Sequence, residues 1–140
     1  MENLDLAKRA VSDSKEWLSS AEKSMEIGAF SKAIYAMEMG VEMSLKALLL
    51  ANGVDFPKVH NIITPLTRLV VSDKFSASEI KNNLEQIISV FHALLDLRSA
   101  SAYSYESSYD NEFFRERAVK YLLPAREVVE MVGRYTVGTR

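Results

Sequence analysis

The sequence predicts an all-α fold, an up-and-down four-helix bundle with one extra short helix. Three observations support this prediction. Apolar residues recur at three- and four-residue intervals along most of the chain, only three prolines and five glycines interrupt it, and no segment alternates long enough to form a strand. At 140 residues the chain is long enough to bury one core, so we expect a single domain over residues 1–140.

The first two helices are predicted to pack as antiparallel neighbours. The first runs from about Leu4 to Ile27 and carries a nearly heptad-spaced apolar stripe. The break at Gly28 is only a few residues long, which forces the next helix to turn back along the first. That second helix ends at Asn52-Gly53, a common left-handed helix end. Its stripe consists of Ala33, Met37, Val41, Leu45 and Leu48.

A short third helix and a longer fourth helix are predicted next. The third extends from about Asn61 to Val71, with Pro65 in the first turn, where a missing N–H is tolerated. Ser76 and Glu79 have the spacing of a capping box, so the fourth helix is predicted to start there.

The last helix is predicted to begin near Tyr109-Asp110. Pro124 should kink or interrupt it, and Gly133 and the tail at 136–140 are expected to fray. Across the bundle, the apolar stripes predict a core that contains Leu45, Leu48, Ile87, Phe91, Leu94, Tyr121 and Val128.

Composition excludes several classes of function. The 17 basic and 19 acidic side chains nearly balance, which argues against an extended nucleic-acid groove. Cysteine is absent, so disulfides, thiolate metal sites and cysteine nucleophiles are excluded. Neither a signal peptide nor an apolar run of about 20 residues occurs, and we therefore expect a cytoplasmic protein.

Most catalytic and cofactor motifs are also missing. The chain has no glycine-rich phosphate loop and no Gly-x-Ser-x-Gly motif. Its two histidines, His60 and His92, lie in different predicted segments. His92 and Asp96 are four residues apart and could share a helix face, but the sequence offers no third ligand. We therefore predict neither a metal site nor a cofactor.

The segment around the second helix resembles the HEPN family (higher eukaryotes and prokaryotes nucleotide-binding). The resemblance rests on Gly28-Ala-Phe, the alanine-rich stripe, Glu42-x-x-x-Lys46-Ala-Leu-Leu, the stop at Gly53 and the following His60. This all-helical family is often found in prokaryotic toxin–antitoxin and defence systems. The resemblance implies a nucleotide- or RNA-binding module that forms a homodimer, and it also implies a nucleotidyltransferase-type protein partner.

The same resemblance draws attention to Arg98. In catalytic HEPN proteins a late helix carries an arginine, four to six other residues and then a histidine, which together cleave RNA without a metal. Arg98 matches the arginine, but Tyr103 occupies the histidine position and no histidine follows Arg98. A phenol has an ordinary pKa of about 10 and is a poor general base near neutrality. We therefore expect a binding module without strong nuclease activity.

Four residues are predicted to form the ligand site: Arg98, Tyr103, Glu42 and Lys46. Arg98 and Tyr103 are the only candidates for catalysis. The resemblance implies that Glu42 is a semi-buried carboxylate that orients the arginine. The alternative for Glu42 and Lys46 is a simple helix ion pair worth ~0.3–0.5 kcal/mol.

Two other functions remain open at this stage. One is a metal-independent RNA-cleaving toxin that uses Arg98 with Tyr103 in place of the usual histidine. The other is a purely structural protein-interaction bundle, in which Arg98 pairs with Asp96, Glu42 or Glu38 and Tyr103 packs at the end of the bundle.

An aromatic cluster surrounds the segment from Ser99 to Ser108, which is weak in helix propensity. Such side chains stack on bases in nucleic-acid-binding proteins, and they also cover cores or form dimer contacts. The cluster consists of Tyr103, Tyr105, Tyr109, Phe113 and Phe114.

Overall fold

The computed structural model describes residues 2–138, and this part of the chain contains helices and no strand. The predicted all-α fold is therefore confirmed. None of the helices in this range is long and apolar enough to cross a membrane. A 3₁₀-helix spans Ser104–Glu106 and a π-helix spans Arg134–Gly138. The α-helices are α1 (Glu2–Glu26), α2 (Phe30–Ala51), α3 (Ile63–Val71), α4 (Ser78–Asn82), α5 (Leu84–Ala102) and α6 (Asn111–Gly133).

Helix α2 lies at the centre of the bundle and packs against α1, α5 and α6. All five residues of its predicted stripe are fully buried. Helix α1 approaches it closely at Gly40, where an added Cβ would lie 3.2 Å from the carbonyl oxygen of Ser14. Of the seven predicted core residues, six are buried, and Tyr121 is half-buried against the edge of the core.

The glycine stops predicted after α1 and α2 are confirmed. Gly53 has a φ of +67° and Gly28 a φ of +74°, a region that favours glycine because it lacks a Cβ. After α2, the N–H of Val54 donates to the carbonyl of Leu49 and the N–H of Gly53 to the carbonyl of Leu50. This pair of hydrogen bonds satisfies the last carbonyls of the helix and turns the chain out of it.

The predicted capping box at Ser76 and Glu79 is wrong. Helix α4 begins at Ser78 without a side-chain cap, and the carboxylate of Glu79 lies 2.9 Å from Arg134 Nη2 instead. The predicted fourth helix is also divided at Asn83, whose side-chain amide donates to the carbonyl of Glu79. Because this side chain competes for a backbone acceptor, α4 and α5 are separate helices, and the described bundle has two short helices beside its four long ones.

Helix α6 begins as predicted but does not break at its proline. The Asp110 side chain accepts a hydrogen bond from the N–H of Phe113 and caps the helix. The helix then continues through Pro124, because buried residues on both sides hold it against the core. The expected fraying is also wrong up to residue 138, since the π-helix follows α6 directly and Thr136 is fully buried. Residues 139 and 140 lie outside the described range.

Candidate functional site

Arg98 projects from α5 onto α2, where it contacts the side chains of Tyr35, Glu38 and Met39. Its Nη1 lies 3.1 Å from Glu38 Oε1, and its Nη2 donates to the Tyr35 hydroxyl at 3.4 Å. The guanidinium carbon also lies 4.9 Å from the centre of the Tyr35 ring, within the range of a cation–π contact. The partner of Arg98 is thus Glu38, one of the three carboxylates that the sequence left open.

Glu42 lies one turn after Glu38 on α2 and has different partners. Its Oε2 accepts a hydrogen bond from Lys46 Nζ at 2.8 Å, and both of its carboxylate oxygens lie 3.2 Å from His60 Nδ1. The expectation that Glu42 holds the guanidinium is therefore wrong. Arg98 meets α2 one turn earlier, and Lys46 and His60 already occupy the oxygens of Glu42.

Both carboxyl groups are fully buried, yet their pKa values shift in opposite directions. Burial raises the pKa of Glu38 to about 9, and the hydrogen bond and negative charge of Glu42 act in the same direction. Burial also opposes the ionisation of Glu42, but hydrogen bonds from Glu38, Lys46 and His60 outweigh it and lower the pKa of Glu42. These opposite directions favour a single proton on the pair near neutral pH, carried by Glu38.

The unpartnered oxygen of this pair fits that assignment. Glu38 Oε2 is buried and has no hydrogen-bond donor within residues 2–138. An ionised carboxylate would leave this oxygen unsatisfied at a substantial free-energy cost, whereas a protonated carboxyl group has an O–H that can donate to the neighbouring Glu42.

The proton on Glu38 predicts a specific pH dependence of stability. The native carboxyl keeps its proton up to a pKa of about 9, whereas in the unfolded chain the pKa is near the ordinary 4.5. Between these values the native state binds more protons, so the free energy of unfolding should fall as the pH rises from about 5 to 9. Glu38→Gln can still donate to Glu42 and accept from Arg98 but cannot titrate.

Urea unfolding between pH 6 and pH 9 tests this prediction. We expect the stability of the wild type to decline with pH and that of Glu38→Gln to decline less steeply. Glu26→Gln, a change at an exposed ion pair with Lys23 on α1, should keep the wild-type slope. Equal slopes for the wild type and Glu38→Gln would show that Glu38 is already ionised at pH 6.

A cavity of about 440 Å³ opens beside Arg98. We call it the Arg98 cavity. Of the four residues predicted for the ligand site, Arg98 and the half-exposed Tyr103 line this cavity, whereas Glu42 and Lys46 do not. Glu42 contacts His60, which lines the cavity, and Lys46 contacts Glu42. The cavity is lined by Tyr35, His60, Asn61, Leu95, Arg98, Ser99, Ala102 and Tyr103.

His60 is the site residue that the sequence did not assign. It precedes Arg98 in the chain, so a search for a histidine after the arginine cannot find it. The loop after Gly53 turns back along α2 and brings the imidazole to Glu42 at the wall of the Arg98 cavity. The one sequence feature that could have indicated His60 was Glu42, because a carboxylate buried on a helix requires nearby hydrogen-bond donors.

The raised pKa of Glu38 favours an excess of positive charge beside the Arg98 cavity. Arg98 and Lys46 are both cationic, whereas Glu38 and Glu42 together carry about one negative charge while Glu38 is protonated. An arginine fork can hold a phosphate by two parallel hydrogen bonds at any working pH. The arrangement is therefore suited to an anionic group, with hydroxyl and amide donors in the same wall.

Comparison with known protein families agrees with this architecture. The family model described as the HEPN domain matches residues 7–135. That span includes helices α2 to α6 and every residue of the Arg98 cavity. No curated protein matches the chain significantly.

Proposed function

The chain belongs to the HEPN domain family, whose members are nucleotide- or RNA-related modules, and from this premise we propose that it binds a phosphate group of a nucleotide or RNA in the Arg98 cavity. Arg98 is the phosphate ligand, and Tyr103 supplies a hydroxyl at the exposed rim. One observation carries the proposal. Arg98 lines an open cavity, and its carboxyl partner, Glu38, is fully buried with a raised pKa, which favours a neutral carboxyl beside the guanidinium.

Glu42 and Lys46 support this site without touching the ligand. Glu42 accepts the Glu38 proton in a hydrogen bond and contacts His60, while Lys46 compensates the charge of Glu42. Their role in ligand binding is thus to position Arg98 and His60. With a phenol at the expected histidine position, binding without strong cleavage through Tyr103 is the function we propose.

Metal-independent RNA cleavage is a second candidate, and the His60–Glu42 contact favours it. In this mechanism the imidazole removes the proton of a 2′-hydroxyl, and the resulting oxygen attacks the adjacent phosphorus. A 2′,3′-cyclic phosphate forms while the 5′-oxygen leaves and takes up a proton. Arg98 would stabilise the negative charge that develops on the phosphoryl oxygens, and Glu42 would orient the imidazole ring.

Binding of a fluorescein-labelled single-stranded RNA, measured by anisotropy in EDTA, tests the proposed function. Arg98→Ala should weaken binding by ~1–3 kcal/mol, or roughly 5- to 150-fold, because a charge-assisted phosphate contact is lost. The control is Arg115→Ala, since Arg115 forms an exposed pair with Glu112 and should leave affinity nearly unchanged. Equal affinity of Arg98→Ala and the wild type would contradict the proposal.

The same samples on a denaturing gel distinguish binding from cleavage. Intact RNA supports the binding module. Cleavage that disappears in both Arg98→Ala and His60→Ala would establish the second candidate. Cleavage that survives in His60→Ala but disappears in Tyr103→Phe would instead support the alternative of a toxin that uses Arg98 and Tyr103. A wild-type protein that does not bind RNA or nucleotides would leave the structural bundle as its function.

HEPN domains often dimerise, and we propose that this chain forms a homodimer. A two-fold axis would place the same surface of each chain in contact and bring two copies of Arg98 near a shared cleft. Light scattering at micromolar concentration should give twice the chain mass of 15.8 kDa. A monomer mass would contradict this.

A nucleotidyltransferase-type partner in a cytoplasmic toxin–antitoxin or defence system is the setting we propose. It is supported by the family alone, and an adjacent small nucleotidyltransferase gene would be the simplest evidence for it. Absence of such a gene near this one in its genome would count against it.

A further inference from the structure

A second cavity of about 350 Å³ adjoins the Arg98 cavity. The two share Ser99 and Tyr103 in their walls. The second cavity reaches from Tyr103 past the 3₁₀-helix to Tyr109, just before α6. An extended ligand anchored at Arg98 therefore has a direct course across Tyr103 to Tyr109.

Tyr109 is the outer member of a stacked column. Its ring lies parallel to that of Phe113, with centroids 3.7 Å apart and an interplanar angle of 4°. The guanidinium carbon of Arg117 lies 3.5 Å from the centre of the same Phe113 ring. At these separations Tyr109 and Arg117 must occupy opposite faces of Phe113, because one face cannot accommodate both.

Two further contacts hold Tyr109 in this column. The N–H of Tyr109 donates to Ser107 Oγ at 3.0 Å, and the buried Phe114 meets the Tyr109 ring edge-on. Even so, 49% of Tyr109 remains exposed. The column thus holds a flat aromatic ring in place beside the second cavity with little conformational entropy left to lose on binding.

The charge of the second cavity distinguishes it from the first. Glu106 is the one charged residue in its described wall, and Ser107 and Ser108 add hydroxyl groups. A carboxylate repels a phosphate but not an uncharged group. This cavity is therefore suited to an uncharged aromatic base and not to a second phosphate.

We propose that the ligand is a single-stranded oligonucleotide whose phosphate binds Arg98 while a neighbouring base stacks on Tyr109. This inference rests on the proposed function and adds a base-binding site to it. A base stacked on a protein aromatic ring is insensitive to sequence, because every base has a π-face. We therefore expect recognition of strands longer than one nucleotide, with little preference among bases.

The experiment uses the full chain and two probes, fluorescein-labelled hexa-adenylate RNA and ribose 5-phosphate, which has no base. Tyr109→Ala should weaken hexa-adenylate binding on the order of tenfold, and Tyr109→Phe, which keeps the ring, should bind nearly as the wild type does. Tyr105→Ala is the matched control, since Tyr105 is 81% exposed in the same segment and lines neither cavity. Ribose 5-phosphate, followed by NMR titration, should respond to Arg98→Ala and not to Tyr109→Ala.

Wild-type affinity of Tyr109→Ala for hexa-adenylate would overturn the base site. If Arg98→Ala still weakened the binding of both probes, the proposed function would stand without the base site. If Arg98→Ala changed the binding of neither probe, the proposed function would fail as well. If Tyr109→Ala unfolds, Tyr109→Trp tests the same contact, because hexa-adenylate should quench the fluorescence of the added tryptophan. Absence of quenching would overturn the base site. A changed oligomer mass with unchanged RNA binding would assign Tyr109 to a protein contact and also overturn the inference.

Discussion

Leu45→Ala is expected to lower the free energy of unfolding by ~2–5 kcal/mol. Leu45 is fully buried on α2, the helix that contacts α1, α5 and α6, so the deleted atoms leave a space at the meeting point of the bundle. Urea unfolding followed by circular dichroism measures the loss. Leu6→Ala is the control, because Leu6 is 46% exposed on α1 and should lose less than about 1 kcal/mol.

A loss below about 1 kcal/mol for Leu45→Ala would contradict the placement of the α2 stripe in the core. It would also weaken the position of the site, since Glu38 and Glu42 lie on the same helix as this stripe.

Glu42→Leu is expected to lower the free energy of unfolding by about 3 kcal/mol. The change removes the acceptor for the Glu38 proton and leaves the Lys46 ammonium, whose side chain is only 16% exposed, without its anion. Adding Lys46→Met removes that unpaired charge. The double variant should therefore recover at least about 1 kcal/mol of the loss, because replacing both partners costs less than removing one.

Glu112→Leu provides the comparison for an exposed pair. Glu112 contacts Arg115, and both side chains are more than half exposed, so the change should cost less than about 1 kcal/mol. A Glu42→Leu variant as stable as Glu112→Leu, or a double variant less stable than Glu42→Leu alone, would show that Glu42 is not the buried centre of the cluster.

The parts of the fold that the sequence predicts well depend on local signals. The period of the α2 stripe and the glycine stops at Gly28 and Gly53 reflect geometry within a few residues, and all were confirmed. The errors lie where tertiary contacts decide. Glu79 prefers Arg134 to a capping box, and packing carries α6 through Pro124 without the break that was one of the two outcomes expected there.

The site was predictable only in part. The family pattern selects Arg98 and Tyr103, and the structure places both at one cavity. Arg98 pairs with Glu38 and not with Glu42 because of which turn of α2 faces α5. The apolar period of a helix cannot distinguish these two glutamates, since residues four apart share one face. The position of His60 depends on the course of the loop after α2, for which the sequence has no regular pattern.

The salt dependence of RNA binding tests the central claim, that Arg98 binds a phosphate, most directly. Each phosphate neutralised on a single strand contributes a slope of roughly 0.7 to the decrease of log affinity with log salt concentration. We predict that Arg98→Ala reduces this slope by about that amount relative to the wild type, while Arg115→Ala leaves it unchanged. Identical slopes for the wild type and Arg98→Ala would contradict a phosphate contact at Arg98, whatever the affinities themselves.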